Sequence, residues 1–214
     1  MAETLPEAVR PRAKSYFENV APAHDWHHVQ RVAALAETLA EEYDPDERIL
    51  FSAVWLHDVG RGREDRGEID DHSEWGAEEA ARLLGGSGFD VTDAEIGAVQ
   101  HCIRAHRFSN DVDAETLEAK LLSDADNLDA LGAVGIGRVF CYGAERGQPM
   151  HDPAVPIDAD ETRAGATSVN HFHKKILRLP ERMYTDAGRR LAEERREFVE
   201  TFIEQFEGEA AGDR

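Results

Sequence analysis

Leu50-Phe-Ser-Ala53-Val54-Trp-Leu56-His57-Asp58-Val-Gly60 sets an imidazole and a carboxylate side by side at the end of an otherwise apolar segment. Leu50, Ala53, Val54 and His57 stand at i, i+3, i+4 and i+7, the spacing of a helix stripe that faces a core. Taking a polar group out of water unpaired costs free energy. A core stripe that ends in a metal-ligand residue type beside an acid therefore implies partners elsewhere in the chain.

Working outward from this stretch, 3.6-residue periodicity recurs from end to end and no alternating strand pattern interrupts it. The chain reads as all-α, a bundle of roughly eight helices in one domain over residues 1–214. Periodic stretches run from about Pro6 to Asn19, Asp25 to Tyr43, Glu47 to His57, Ser73 to Leu84, Thr92 to Ala105, Ala114 to Leu131, Ala133 to Gly143, Ser168 to Arg178 and Thr185 to Phe206. Asp25 is placed to cap the second of these, and Asp44-Pro45-Asp46 to end it. Gly85-Gly-Ser-Gly88 and Phe108-Ser-Asn-Asp111 separate later helices. Gly60 to Asp71 is too charged for a core and is expected to be a loop beside His57-Asp58. Gly147 to Asp160, with three prolines, is a second long loop, and the acidic end beyond Phe206 is expected to fray.

A length of 214 residues with 41% hydrophobic content suffices for one sizeable core. The balance of 24 basic against 44 acidic residues gives a net charge of -20, and lysine occurs only at Lys14, Lys120, Lys174 and Lys175. Such a surface repels polyanions, which excludes a general binder of nucleic-acid polymers or anionic membranes and makes any phosphate site a local exception. Abundant Asp and Glu with scarce Lys is also the composition of a protein kept soluble in concentrated salt, so a halophilic source is expected. Met1 to Asn19 lacks the apolar run of a signal peptide, and no later run approaches the roughly 20 residues of a membrane span, which predicts a cytoplasmic protein. Cys102 and Cys141 have no CxxC spacing and read as small core residues.

His28 shares a helix stripe with Val32, Leu35 and Leu39, which gives a second inward imidazole. A third apolar helix, Leu121-Leu-Ser-Asp124-Ala-Asp126-Asn-Leu-Asp129-Ala-Leu131, carries carboxylates that would be expensive to bury without a cation. Two imidazoles and carboxylates from three helices suit one divalent ion, Mn, Mg, Co, Ni, Fe or Zn, with positions left for water. A lone inward histidine is more often a satisfied core residue, so no one of these residues carries the reading by itself. Asp124 and Asp126 are about 200° apart around a helix, and both cannot face one ion. Periodicity leans towards Asp124, which shares its stripe with Leu117, Leu121, Leu128 and Leu131, whereas Asp126 lies with Ala119, Leu122, Ala130 and Ala133.

Asp25-Trp-His-His28-Val-Gln-Arg31, then Leu56-His57-Asp58, then Asp124-Ala-Asp126-Asn-Leu-Asp129-Ala-Leu-Gly132 resembles the H…HD…D signature of HD-domain metal-dependent phosphohydrolases. Ile103-Arg-Ala-His106-Arg-Phe-Ser109, Gly132 to Arg138 and Ser168-Val-Asn-His171-Phe-His-Lys174-Lys-Ile176 extend the resemblance over almost the whole chain, to the small stand-alone bacterial and archaeal subgroup. It implies His28, His57, Asp58 and Asp126 as ligands of one divalent metal, on helices within about 25–131, with helices of about 168–206 packed on them. It implies hydrolysis of a phosphate ester or anhydride of a small phosphorylated metabolite, a nucleotide above all, by metal-activated water. Asp58 would give one oxygen to the ion and the other to that water, and Arg31, one turn from His28, would hold a phosphate, which makes these two the expected catalytic residues.

Arg61, His106, His171 and Lys174 are the further substrate-binding candidates, with Arg63, Arg104 and Arg107 adding positive field. Asp25 and Asp129 are expected to orient the ligands from behind. His72 reads either as a helix-start residue or, with His106, as a ligand of a second ion, and His27 is rotated about 100° away from His28. A nucleotide-binding sensor without turnover and a metal-stabilised structural protein are the competing readings, and a homodimer is left open. Thermal unfolding against KCl tests the halophilic expectation: stability should climb towards about 1 M salt, where the Debye length shrinks to roughly 3 Å, and a protein equally stable without salt would contradict it.

Overall fold

The computed structural model describes residues 3–86, 88–107 and 112–213. Ser87 and the expected break Phe108 to Asp111 lie outside the described residues, among which no strand occurs. The chain folds into two compact units, Met1–Asp126 and Asn127–Arg214. No helix of the described residues is long and apolar enough to cross a membrane.

In the first unit come α1 (Leu5–Lys14), 3-10 turns at Ser15–Phe17 and Pro22–His24, α2 (Trp26–Ala40), α3 (Glu47–Leu56), α4 (Arg61–Asp65), α5 (His72–Gly85), α6 (Asp93–Ala105) and most of α7 (Leu117–Asp129). Helix α3 is the centre, packed against α1, α2, α5 and α6. Ile49, Leu50 and every residue from Ser52 to Leu56 are buried, which is what a run apolar around its whole circumference requires. Complete burial of Leu50 and Leu56 is worth about 1.5–3 kcal/mol each.

Short polar residues fix where α2, α3, α5 and α6 begin. The Asp25 carboxylate accepts the His28 amide at 3.0 Å, as its position before α2 predicts. Asp46 accepts the amides of Arg48 and Ile49 at 3.0 and 3.2 Å, and Asp71 those of Ser73 and Glu74 at 2.8 and 3.2 Å. Thr92 and Glu95 satisfy each other's backbone at the start of α6. Helix α2 stops at Ala40, short of the expected Tyr43, and the first helix gives way to a 3-10 turn after Lys14.

The charged stretch after Gly60 is not all loop. Arg61 pairs with Glu64 at 3.4 Å and Asp65 at 3.3 Å, one turn along, and these pairs accompany a helical turn, α4, that apolar periodicity could not reveal. Its approach to α5 is close: a Cβ on Gly60 would stand 2.6 Å from the His72 carbonyl oxygen and 3.1 Å from the Trp75 ring.

The second unit holds α8 (Gly132–Glu145), α9 (Ser168–Lys174), a 3-10 segment Ile176–Arg182 and α10 (Asp186–Ala211). Helix α8 packs on α9 and α10, around the rings of Phe140, Phe172, Phe202 and Phe206. The proline-rich loop is tied down by Asp160, which accepts the Thr162 and Ala166 amides at 2.9 and 2.7 Å and the Asn170 side-chain amide at 2.8 Å. The acidic end does not fray at Phe206. Helix α10 continues to Ala211 and closes on Gly212 at φ 79°, with the Asp213 amide reaching the Gly208 carbonyl at 2.9 Å.

Cys102 is buried, and burial pushes its thiol up to about 12; Cys141 is exposed, against the expectation of a second core cysteine. A thiol reagent should therefore titrate one cysteine quickly in the native protein and two in denaturant, and two fast thiols in the native state would contradict this packing. Gly60→Ala should cost about 1–3 kcal/mol, read as a lowered urea midpoint, and an unchanged midpoint would show that the turn is not pressed on α5.

Candidate metal centre

The turn that starts α2 delivers His28, the end of α3 delivers His57 and Asp58, and α7 delivers Asp126, all within the first unit. The four side chains gather around His28 Nε2, with His28, His57 and Asp126 mutually close and Asp58 grouped with His57 and His106. His28 Nε2 lies 3.4 Å from His57 Nε2, 3.4 Å from Asp126 Oδ1 and 3.5 Å from Asp58 Oδ2. His57 Nδ1 is 2.8 Å from the Val54 carbonyl, which only accepts, so Nδ1 carries the proton and Nε2 turns its lone pair to the cluster. Burial lowers the His57 pKa to about 4 against the pull of Asp58, which keeps the ring neutral and able to ligate. His28 and His57 are fully buried, while the Asp126 side chain is 23% exposed, so among these four the centre opens to water at Asp126.

This donor set fits a divalent ion. Ligand atoms held at about 2.1 Å from a shared ion stand roughly 3.0–3.4 Å apart, close to the spacings around His28 Nε2. Two neutral imidazoles and two carboxylates leave a double negative charge in a largely dry place, which a divalent cation would offset. Asp124 is fully buried but stands outside the grouping of His28, His57 and Asp126.

A second layer surrounds Asp58. Its Oδ1 lies 3.1 Å from His72 Nε2 and 3.7 Å from His106 Nε2, so the oxygen that the sequence reading gave to a water is held by His72. Burial raises the Asp58 pKa, but His57 and the His106, His28 and His72 rings beside the carboxylate outweigh it and hold the carboxyl well below its usual range. His106 donates Nδ1 to the Ile103 carbonyl, which turns its Nε2 towards Asp58. Asp71 is the cap of α5, and His72, its first residue, buries its ring with Nδ1 2.9 Å from Glu64 Oε2.

Residues 25–131 match the family model of the HD domain. The chain belongs to the HD-domain family. It is 33% identical to the Bacillus subtilis protein YpgQ over 208 residues, 96% of this chain and 94% of YpgQ. A Bacillus thuringiensis HD-superfamily hydrolase of known structure is 34% identical, with a TM-score of 0.73 over 96% of each chain. The structure of Bacillus subtilis YpgQ in complex with ADP gives 30% identity and a TM-score of 0.75 over 98% of this chain and 100% of that one.

The remaining residues singled out in the HD sequence have varied surroundings. Asp25 caps α2 directly beneath His28. Arg31 is half-buried one turn along α2. Arg61 is tied to Glu64 and Asp65, Arg104 to Glu74, and Arg107 to Glu64 and Asp71 at 2.9 and 3.2 Å. Arg63 lies over the Trp75 ring. In the second unit Asp129 pairs with Arg138 at 3.1 Å, and His171 stacks on Tyr142 while donating Nδ1 to Ala164. Lys174 bonds the carbonyls of Asp160 and Thr162 and pairs with the Asp160 carboxylate at 3.3 Å. Two residues beside the centre escaped the sequence reading: Glu64, one of many acids in a charged stretch, and His24, whose ring meets that of His28 edge-on at 5.7 Å.

Without metal, two histidines give stability opposite pH slopes. His57, depressed to about 4, contributes fully above its unfolded value of 6.5 and loses that contribution as pH falls towards 4. For His72 burial lowers the pKa, but Asp58 and Glu64 outweigh burial and raise it to about 9, so its contribution is complete below 6.5 and is lost as pH rises through 9. Urea midpoints in EDTA should therefore peak near pH 6.5, and a steady rise from pH 5 to 9 would contradict this assignment.

Proposed function

We propose that this HD protein is a divalent-metal-dependent phosphohydrolase that cleaves a phosphate ester or anhydride of a small phosphorylated metabolite, a nucleotide above all. The observation that carries the reading is the approach of His57, Asp58 and Asp126 to within 3.4–3.5 Å of His28 Nε2. In this reading those four hold one ion, Mn, Mg, Co, Ni, Fe or Zn. When bound, the ion supplies a Lewis-acid contact to a phosphoryl oxygen and lowers the pKa of water.

The chain's own groups then divide the work. His57 ligates as a neutral imidazole fixed by Val54. Asp58 would give Oδ2 to the ion, while Oδ1 stays with His72, so Asp58 could take a proton only where His72 releases Oδ1. Asp126 is the donor that water reaches, and Arg31, on α2 beside His28, grips a substrate phosphate through its guanidinium fork. His106, Arg61, His171 and Lys174 stay as candidates for substrate contacts. Arg61 and Lys174 would have to exchange their present carboxylate partners for phosphate.

Support for a nucleotide comes from YpgQ, similar over nearly its whole length and solved with ADP. The net charge of -20 favours a small substrate over a polymer.

Metal-free protein reloaded with each ion and offered ribo- and deoxynucleoside mono-, di- and triphosphates should release phosphate or pyrophosphate, with Asp126→Asn lowering kcat/KM by about 100-fold or more. Tight nucleotide binding with no product would instead favour the sensor, and no turnover with any ion would overturn the hydrolase.

A further inference from the structure

We propose that Glu64 is a positioning residue for the metal centre: acting through the His72 ring, it fixes which Asp58 oxygen faces His28. The inference rests on the metal reading above and adds to it a residue that touches neither ion nor substrate.

The two oxygens of Asp58 have separate surroundings. Oδ2 faces His28 at 3.5 Å, and Oδ1 faces His72 Nε2 at 3.1 Å. On the far side of the ring, His72 Nδ1 lies 2.9 Å from Glu64 Oε2, and the other Glu64 oxygen accepts the His72 backbone amide at 3.4 Å. Glu64 thus grips His72 by ring and main chain together. The ring thus lies directly between the two carboxylates, Nδ1 turned to Glu64 and Nε2 to Asp58. That makes His72 a strut between two carboxylates.

The strut has a purpose in the torsion it controls. The terminal torsion of an aspartate is broad, and a carboxylate with one oxygen unheld swings between orientations. Pinning Oδ1 leaves Oδ2 fixed towards His28, so the ordering of this ligand is complete before an ion arrives. Glu64 is itself anchored, by Arg107 at 2.9 Å and Arg61 at 3.4 Å, and Arg107 also reaches Asp71, the cap of α5, at 3.2 Å. The short helix α4, the start of α5 and the end of α6 therefore meet at one carboxylate whose side chain is only 15% exposed.

Co²⁺ titrated into metal-free full-length protein, followed by calorimetry and by the visible spectrum of the bound ion, tests this without turnover. Glu64→Gln should weaken Co²⁺ binding by about 10- to 100-fold and shift the visible bands, because the ligand field loses a fixed oxygen. His72→Gln should also weaken binding, and adding Glu64→Gln to it should cost less than about threefold more, since the path from Glu64 to Asp58 is already cut. If Glu64→Gln fails to fold by circular dichroism, Arg107→Gln loosens Glu64 without touching His72 and should give a smaller loss of the same sign.

Wild-type affinity and spectrum in the Glu64 variant, or fully additive losses, would overturn the inference. So would two cobalt ions per wild-type chain with one lost in His72→Gln, which would make His72 a ligand. A wild type that takes up no Co²⁺, Mn²⁺ or Zn²⁺ would instead bring down the proposed function itself.

Discussion

Asp58 is a carboxylate only 4% exposed, at the foot of the most deeply buried helix of its unit, and its surroundings follow from that burial. An ionised carboxylate in such a place is tolerated only when opposite charge and hydrogen bonds replace lost water. His28 and His57 gather on the side of one oxygen, and His72 and His106 on the side of the other. Each of these imidazoles is placed by a helix terminus, which is why the caps at Asp25 and Asp71 matter to chemistry as well as to folding. The same constraint reaches Glu64 and Arg107, which balance the charge behind His72.

Most of the helices could be read from the sequence because the signal is repetitive: apolar residues at i, i+3 and i+4, ended by Asp, Thr or Gly. Helix α4 could not, because four of its five residues are charged and the other is Gly62, so it has no apolar spacing to signal a helix. The end of α10 is hidden for a similar reason, since acidic composition masks a glycine closure that depends on backbone conformation at Gly212. Cys141 shows the limit of treating a small residue on a periodic helix as core; its side of α8 is exposed.

In the centre, the choice between Asp124 and Asp126 is instructive. Periodicity leaned to Asp124, and Asp124 is indeed fully buried. A centre that admits water needs a donor at the edge of the core, and Asp126, part exposed and 3.4 Å from His28, has that position. A stripe of core positions ranks burial, whereas the family motif points to Asp126, and here the two differ. Glu64 and the buried role of His72 were hidden for another reason: their partnership bridges the irregular residues 66–71 between α4 and α5, and no periodic pattern encodes a turn that folds back on itself.

The central claim is that His28, His57, Asp58 and Asp126 share one divalent ion. Crystals grown with Mn²⁺ and measured for anomalous scattering test it most directly. A peak is expected about 2.0–2.3 Å from His28 Nε2, His57 Nε2, Asp58 Oδ2 and Asp126 Oδ1. A saturated crystal with no peak among those four atoms, or with its ion held by Glu64, Asp71 and His72 instead, would contradict it.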